Sequence, residues 1–168
     1  MKQLFICRHA KSSWKNPELA DIERPLNKRG KRNALLMGER LAARAMVPDC
    51  ILSSPAKRAG KTAVRLCKAM KVSRKQICIN DAIYDTDSQE LLSIISKTDD
   101  CYSRLMLIGH NPEFTLLVNE LAQVEIYNIP TGGIVAFSLA VNSWQDVQQA
   151  QAELLFFDYP KKQLSDPL

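Results

Sequence analysis

Six short apolar runs, separated by stretches with helical spacing, constrain the fold of this chain more than any other feature. The runs lie at residues 3–7, 50–53, 76–79, 104–109, 134–141 and 153–159. Each is about the length of one buried strand. Between them, apolar residues recur three and four apart. After Gly30, residues Ala34, Leu35, Gly38, Leu41, Ala42 and Ala45 share one helical face. Ala56, Ala59, Ala63, Leu66, Cys67 and Met70 share a second; Leu91, Leu92 and Ile95 mark a shorter helix, and Phe114, Leu117, Val118 and Leu121 another. Alternating strands and helices bury both sheet faces in a parallel arrangement covered on each side. The expected fold is α/β, a three-layer α/β/α sandwich around a mostly parallel, doubly wound sheet. The last two runs lack a helix-length gap and are expected to pair antiparallel at one edge. There is no internal repeat and no linker, which gives a single domain over residues 1–160 and a loose tail over 161–168.

Composition narrows the class. The 168 residues are 46% hydrophobic and 24% charged, ordinary for a soluble globular domain. No apolar run approaches the ~20 residues that cross a bilayer, so no membrane role is expected. One lysine before a four-residue apolar run is too little for a secretory leader, and the cytoplasm is the expected location. Five cysteines lie far apart with no C-x-x-C pair and read as small buried hydrophobes in a reducing compartment. With only two histidines, no metal site is expected. Net charge is +5, and eight cations from Lys57 to Lys75 occur without an acid. A solvated helix face accounts for each charge singly; together they favour an anionic partner. Without interleaved aromatics or a recognised motif, nucleic acid is not the expected partner.

The chemistry gathers where strands end. The run Leu4-Phe5-Ile6-Cys7 stops on Arg8-His9. Ile51-Leu52-Ser53-Ser54-Pro55 leads from strand to helix, with Ser54 suited to the N-cap and Pro55 to the first helical position. Leu107-Ile108-Gly109-His110-Asn111-Pro112 repeats the device, with Asn111 as the cap. In an open α/β sheet, ligands bind outside the carboxyl ends of the strands. Arg8, His9, Ser53, Ser54, Gly109 and His110 should therefore border one crevice. Arg58 lies on the first turn of the Pro55 helix, and its side chain leans toward the same place. Guanidinium forks bind tetrahedral oxyanions in two-point fashion. A neutral imidazole with one nitrogen tied is a nucleophile toward phosphorus. These residues suit covalent phosphoryl transfer that needs neither metal nor cofactor.

The motifs Arg8-His9-Ala10-Lys11-Ser12-Ser13-Trp14, Asp21-Ile22-Glu23-Arg24-Pro25-Leu26-Asn27-Lys28-Arg29-Gly30, Ser53-Ser54-Pro55-Ala56-Lys57-Arg58-Ala59 and Gly109-His110-Asn111-Pro112 occur in this order. Together they resemble the histidine phosphatase superfamily, with its phosphoglycerate mutase-like fold. Within it, the chain is most similar to the small SixA-type phosphohistidine phosphatases. The resemblance runs from Lys2 to about Val141. It implies that His9 is the nucleophile and is transiently phosphorylated, while Arg8, Arg58 and His110 hold the phosphoryl oxygens. It also implies a substrate contact from Arg24, whose other role would be an ion pair with Asp21 or Glu23. Ser12 and Ser13 are candidate phosphate contacts or turn formers. The implied partner is a protein carrying phosphohistidine.

Many members of that superfamily supply a carboxylate after the third strand to protonate the leaving oxygen. Here Asp81 and Asp85 are the candidates, with capping and solvated-loop roles the better reading of each. An alkoxide needs that proton, whereas protonated phosphohistidine releases neutral imidazole, whose conjugate acid has a pKa of ~6.5. The 80–104 segment has room for one short helix and no large lid, which suits hydrolysis at an open site. Two rivals of the same chemistry stay open: a broad small-molecule phosphomonoesterase, and a non-catalytic phosphoprotein-binding module. Two others fail on residues. Pro55 stands where a P-loop spanning Pro55 to Thr62 needs its first glycine. A cysteine phosphatase built on Cys7 needs arginine where Ser13 stands.

Overall fold

The computed structural model describes residues 1–163. Its main elements are β1 (Lys2–Arg8), α1 (Lys28–Ala43), β2 (Cys50–Ser53), α2 (Lys57–Met70), β3 (Ile77–Ile79), α3 (Ser88–Ser96), β4 (Arg104–Gly109), α4 (Glu113–Ala122), β5 (Ile134–Leu139) and β6 (Ala152–Asp158). Short 3-10 turns lie at Asp21–Glu23, Arg74–Gln76, Asp81–Ile83 and Trp144–Gln149. The six strands form one sheet in the order β3-β2-β4-β1-β5-β6. Pairings among β3, β2, β4 and β1 are parallel, whereas β5 runs antiparallel to both β1 and β6.

Alternation along the central strands makes the layers. Leu4, Ile6, Leu105 and Leu107 face one core, closed by Leu91 and Ile95 of α3, Phe114 and Leu117 of α4, and Trp144. Phe5, Cys7, Met106 and Ile108 face the other, closed by Met37 and Leu41 of α1 and Leu66 and Met70 of α2. Both faces are covered, so the strands read as continuous apolar runs. The expected three-layer architecture with an antiparallel edge is what the chain adopts. Helices α1 and α2 touch closely at Gly38, where an added Cβ would meet Ala69 Cβ at 2.7 Å. Asp158, buried at the end of β6, accepts hydrogen bonds from Arg40 and Arg44, each at 2.7 Å, and so ties the sheet edge to α1.

Several local expectations change. Helix α2 begins at Lys57 after Ala56, and Ser54 accepts from Ala56 N at 3.2 Å in a tight turn without capping the helix. Helix α4 begins at Glu113, with Pro112 in the cap position. The Asn111 amide does not cap it; that amide donates to Asn128 Oδ1 and Ile129 O, a partner loop far away in sequence. Cys7, Cys50 and Cys67 are buried, but Cys78 and Cys101 are exposed. Cys78 sits on β3, which pairs on one side only and is poorly covered. Of the eight cations, Arg58 alone is buried, at 5% exposure; Lys57, Lys61, Lys68, Lys71, Arg74 and Lys75 are exposed. Within the segment after β6, Lys162 donates to Phe157 O at 2.8 Å, and residues 164–168 of the expected tail lie outside the described residues.

Candidate active site

The carboxyl ends of β1, β2 and β4 open into a crevice of about 460 Å3 lined by Arg8, His9, Arg24, Arg58 and His110, with Asp21, Tyr84 and Asp85 on its walls. Backbone bonds fix its floor. His9 N donates to Gly109 O at 3.0 Å, holding the two histidine-bearing strand ends together. Gly132, whose φ of 78° suits glycine, donates from its amide to the carbonyls of both Arg8 and His9.

His9 is buried at 8% exposure. Its Nδ1 lies 2.8 Å from Ala10 O and donates to it, which leaves the Nε2 lone pair free to accept from Arg58 Nε at 3.3 Å. Burial lowers its pKa to about 3, opposed by the Ala10 hydrogen bond and assisted by His110, Arg58 and Arg8. The ring is therefore neutral near pH 7. His110 lies with its ring centroid 5.1 Å from that of His9. Its Nδ1 accepts from Arg58 Nη2 at 3.3 Å, which places the proton on Nε2, 2.7 Å from Ser54 Oγ. Burial and then Arg58 lower its pKa to about 4, while Asp21 raises it.

Arg58 is anchored at its own backbone: its carbonyl accepts from Thr62 Oγ1, which accepts in turn from Ala10 N. This couples α2 to the residue after His9. One side of the guanidinium meets the two imidazoles; the other meets Asp21, through Nη1 to the backbone O at 2.6 Å and Nη2 to Oδ2 at 2.9 Å. Arg8 donates from Nη1 to Ile129 O at 2.8 Å, and its buried Nε has no hydrogen-bond partner among the described residues.

The Asp21–Leu26 segment folds back on the loop after β1, where Ser13 N donates to Pro25 O and Asn27 N to Lys11 O. Arg24 is thereby buried, donating from Nε to Asp21 Oδ1 and from Nη1 to Ser12 Oγ, both at 2.9 Å. The Trp14 ring covers its guanidinium at 3.5 Å. Ser12 thus lies outside the crevice lining and bears on it only as the partner of Arg24. Ser13 accepts from Lys15 N at 3.2 Å, a turn contact. Asp85 lies on the crevice wall and is exposed; Asp81 is exposed on the neighbouring turn, apart from the crevice lining. Two wall residues go beyond what the sequence indicates: nothing in it singles out Tyr84, and it offers Asp21 only as an ion partner of Arg24. Tyr84 donates to Asp21 Oδ2 at 2.7 Å and sets its ring edge-on to His110 at 5.6 Å. Asp21 pairs with Arg24, as its spacing suggests, and with Arg58, which its spacing does not. Burial opposes ionisation of the Asp21 carboxyl, but hydrogen bonds from Tyr84, Arg58 and Arg24 hold its pKa well below the usual carboxylate range.

Among the described residues, no group of three or more histidine, cysteine or acidic side chains is arranged to hold a metal ion. No described helix is long and apolar enough to cross a membrane. Burial pushes the Cys7 thiol up to about 12, which keeps it protonated and unreactive. A larger groove, about 580 Å3, lies between residues 124–130 and β6 and presents no histidine, arginine or lysine.

This chain has counterparts. The model of the histidine phosphatase superfamily (branch 1) matches residues 4–85. An uncharacterised chloroplastic protein of Arabidopsis thaliana is 30% identical over 154 residues, covering 86% of this chain and 70% of that one. A solved structure assigned as phosphohistidine phosphatase SixA of Agrobacterium tumefaciens is 26% identical, with a TM-score of 0.81 over 95% of this chain and 98% of the other. The protein histidine phosphatase SixA complexed with tungstate has the same fold at 20% identity, with a TM-score of 0.79 over 94% and 97% of the two chains.

Proposed function

Because the chain belongs to the histidine phosphatase superfamily, we propose that it is a phosphohistidine phosphatase working through a covalent phospho-His9 intermediate. Its sheet and layers match the phosphoglycerate mutase-like architecture. In the first step, His9 Nε2 attacks phosphorus in line as the bond from phosphorus to the substrate imidazole breaks. The substrate ring, already protonated on its other nitrogen, leaves as neutral imidazole. Water then attacks phospho-His9, releasing inorganic phosphate and restoring the neutral ring. Arg8, Arg58, Arg24 and His110 hold the equatorial oxygens and balance the charge that develops there. His110 Nδ1 accepts from Arg58 in the free site; the negative charge of the bound phosphoryl group favours uptake of a proton from solvent there, and the imidazolium then donates to a phosphoryl oxygen. Ser12 acts by holding Arg24. No metal or cofactor takes part.

One observation carries this reading: Nδ1 of His9 is tied to the Ala10 carbonyl, so a neutral ring aims its Nε2 lone pair at the Arg58 fork. The likeness to SixA proteins supports phosphohistidine as the substrate class and a phosphorylated protein as the partner. The reading describes a single domain over residues 1–160. Five free cysteines, two of them exposed, support a reducing, cytoplasmic setting.

Asp85 on the crevice wall favours a second reading, a broad phosphomonoesterase in which that carboxyl protonates an alkoxide. The test is acid-labile phosphate trapping followed by mapping of the modified residue, alongside turnover of a phosphohistidine protein and of an alkyl phosphate. Label at His9 with preferential turnover of the phosphohistidine protein is expected. Faster alkyl phosphate hydrolysis, dependent on Asp85, would establish the second reading. Binding without turnover of either substrate would make the protein a phosphoprotein-binding module.

A further inference from the structure

We propose that Asp21 is the positioning residue of this site: its carboxylate and backbone carbonyl fix the guanidiniums of Arg58 and Arg24 so that their remaining N–H groups face the phosphoryl position beside His9. The assignment deepens the phosphatase reading and rests on it.

Arg58 shows the geometry most plainly. Its Nε and Nη2 each lie 3.3 Å from an imidazole nitrogen, on His9 and His110. The rest of the fork is taken by Asp21, with Nη1 on the backbone oxygen at 2.6 Å and Nη2 on Oδ2 at 2.9 Å. A planar guanidinium held through its Nη1 and Nη2 has the adjoining side, Nε and the second Nη2 hydrogen, aimed as well. The second carboxylate oxygen, Oδ1, accepts from Arg24 Nε at 2.9 Å. Ser12 takes Arg24 Nη1 and Trp14 covers one face, leaving Nη2 as the donor those contacts do not use. Tyr84 secures the carboxylate from the opposite wall through its bond to Oδ2. One acid thus joins three segments of chain: the loop after β1, the first turn of α2 and the turn after β3.

A plain surface ion pair does not account for this arrangement. The Asp21 side chain is 50% exposed, so solvent screens its charge, whereas Arg58 and Arg24 are only 6% and 10% exposed. Its main effect is on the direction of two buried cations. Both arginines lose rotamer freedom before a substrate arrives, so binding and the transition state meet donors already in place.

A competing role has the opposite sign. A carboxylate that merely occupied the arginines in place of phosphate would weaken phosphate binding, and its removal would strengthen that binding. The experiment is calorimetric titration of inorganic phosphate into the full chain and its Asp21→Asn, Arg58→Ala and doubly substituted forms, with thermal unfolding measured in parallel. Asp21→Asn is expected to weaken phosphate binding by about 10-fold or more, as for loss of a hydrogen bond to a charged group, with unfolding unchanged. In the Arg58→Ala background the same substitution should cost markedly less, because part of its action runs through Arg58. Tighter or unchanged binding by Asp21→Asn, or an equal loss in both backgrounds, overturns the assignment. Should Asp21→Asn fail to fold, Tyr84→Phe carries the test. It keeps the charge and removes one anchor, and unchanged phosphate binding there overturns the assignment. Inorganic phosphate reports on the crevice whatever the parent substrate. Failure of the phosphohistidine reading would show separately, as a wild-type protein that binds phosphate but leaves phosphohistidine protein intact.

Discussion

His9 combines two properties that rarely coincide in a histidine: a fixed tautomer and a pKa far below neutrality. Its replacement by alanine is expected to abolish turnover and leave the fold intact; circular dichroism and single-turnover assays check both, and activity above a tenth of wild type would remove it as the nucleophile. Arg58→Ala and His110→Ala should each slow turnover about 100-fold, the usual cost of losing one preorganised donor. The adjacent serines divide cleanly. Ser12→Ala removes one of the anchors of Arg24 and should lower kcat/KM, whereas Ser13→Ala removes one turn contact and should stay within about 2-fold of wild type, in keeping with surface substitutions. Much of this site is legible in the sequence because Arg8-His9 and His110 follow apolar strands, and strand ends converge; Ser53 and Ser54 are fully buried outside the crevice lining, and Ser54 bears on it only through its bond to His110. Asp21 and Tyr84 are not legible in this way. They meet across 63 positions of chain, and nothing local in either segment records the other. Asn111 misleads for a related reason: its local pattern is that of a cap, but a distant carbonyl in the 128–133 loop binds it instead.

Helices and strands are written more plainly in the sequence than their ends are. Periodicity locates α1 and α2 because the face toward the sheet has to be apolar, while the first turn of α2 depends on how Ser54 is shared between Ala56 and His110. Close packing of these two helices gives a clear expectation. Gly38→Val places side-chain atoms where Ala69 and the Leu66 carbonyl already lie, and should destabilise the protein by roughly 1–3 kcal/mol in urea unfolding. Asp158→Asn acts at the opposite edge of the same layer. It removes the charge that Arg40 and Arg44 share and one of its two acceptor oxygens, and the expected cost is about 1–3 kcal/mol, below that of a fully buried pair because both arginines can turn to water. A normal urea midpoint for either variant would contradict the packing described for α1.

Over the whole molecule, burial of neutral histidines sets a pH dependence with a definite sign. Burial holds the pKa of His9 at about 3 and that of His110 at about 4, both below the 6.5 of a free ring. Below that value the unfolded chain takes up protons that the folded chain refuses, so stability is lost as pH falls from 6.5 toward 4. The Tm should drop between pH 7 and pH 5, and a His9→Gln, His110→Gln protein should show a shallower drop over the same interval. A wild-type Tm that is flat across it would contradict the burial of these rings. Strand order has a consequence for synthesis. β1 is the first strand to leave the ribosome, yet its partners are β4 and β5, the latter starting at Ile134. A nascent chain that ends before β5 already contains both histidines, all three arginines of the crevice and the loop that bonds Arg8, but it lacks the antiparallel neighbour that completes β1. The sheet that supports the crevice is therefore completed late in translation, after every side chain lining it has been made.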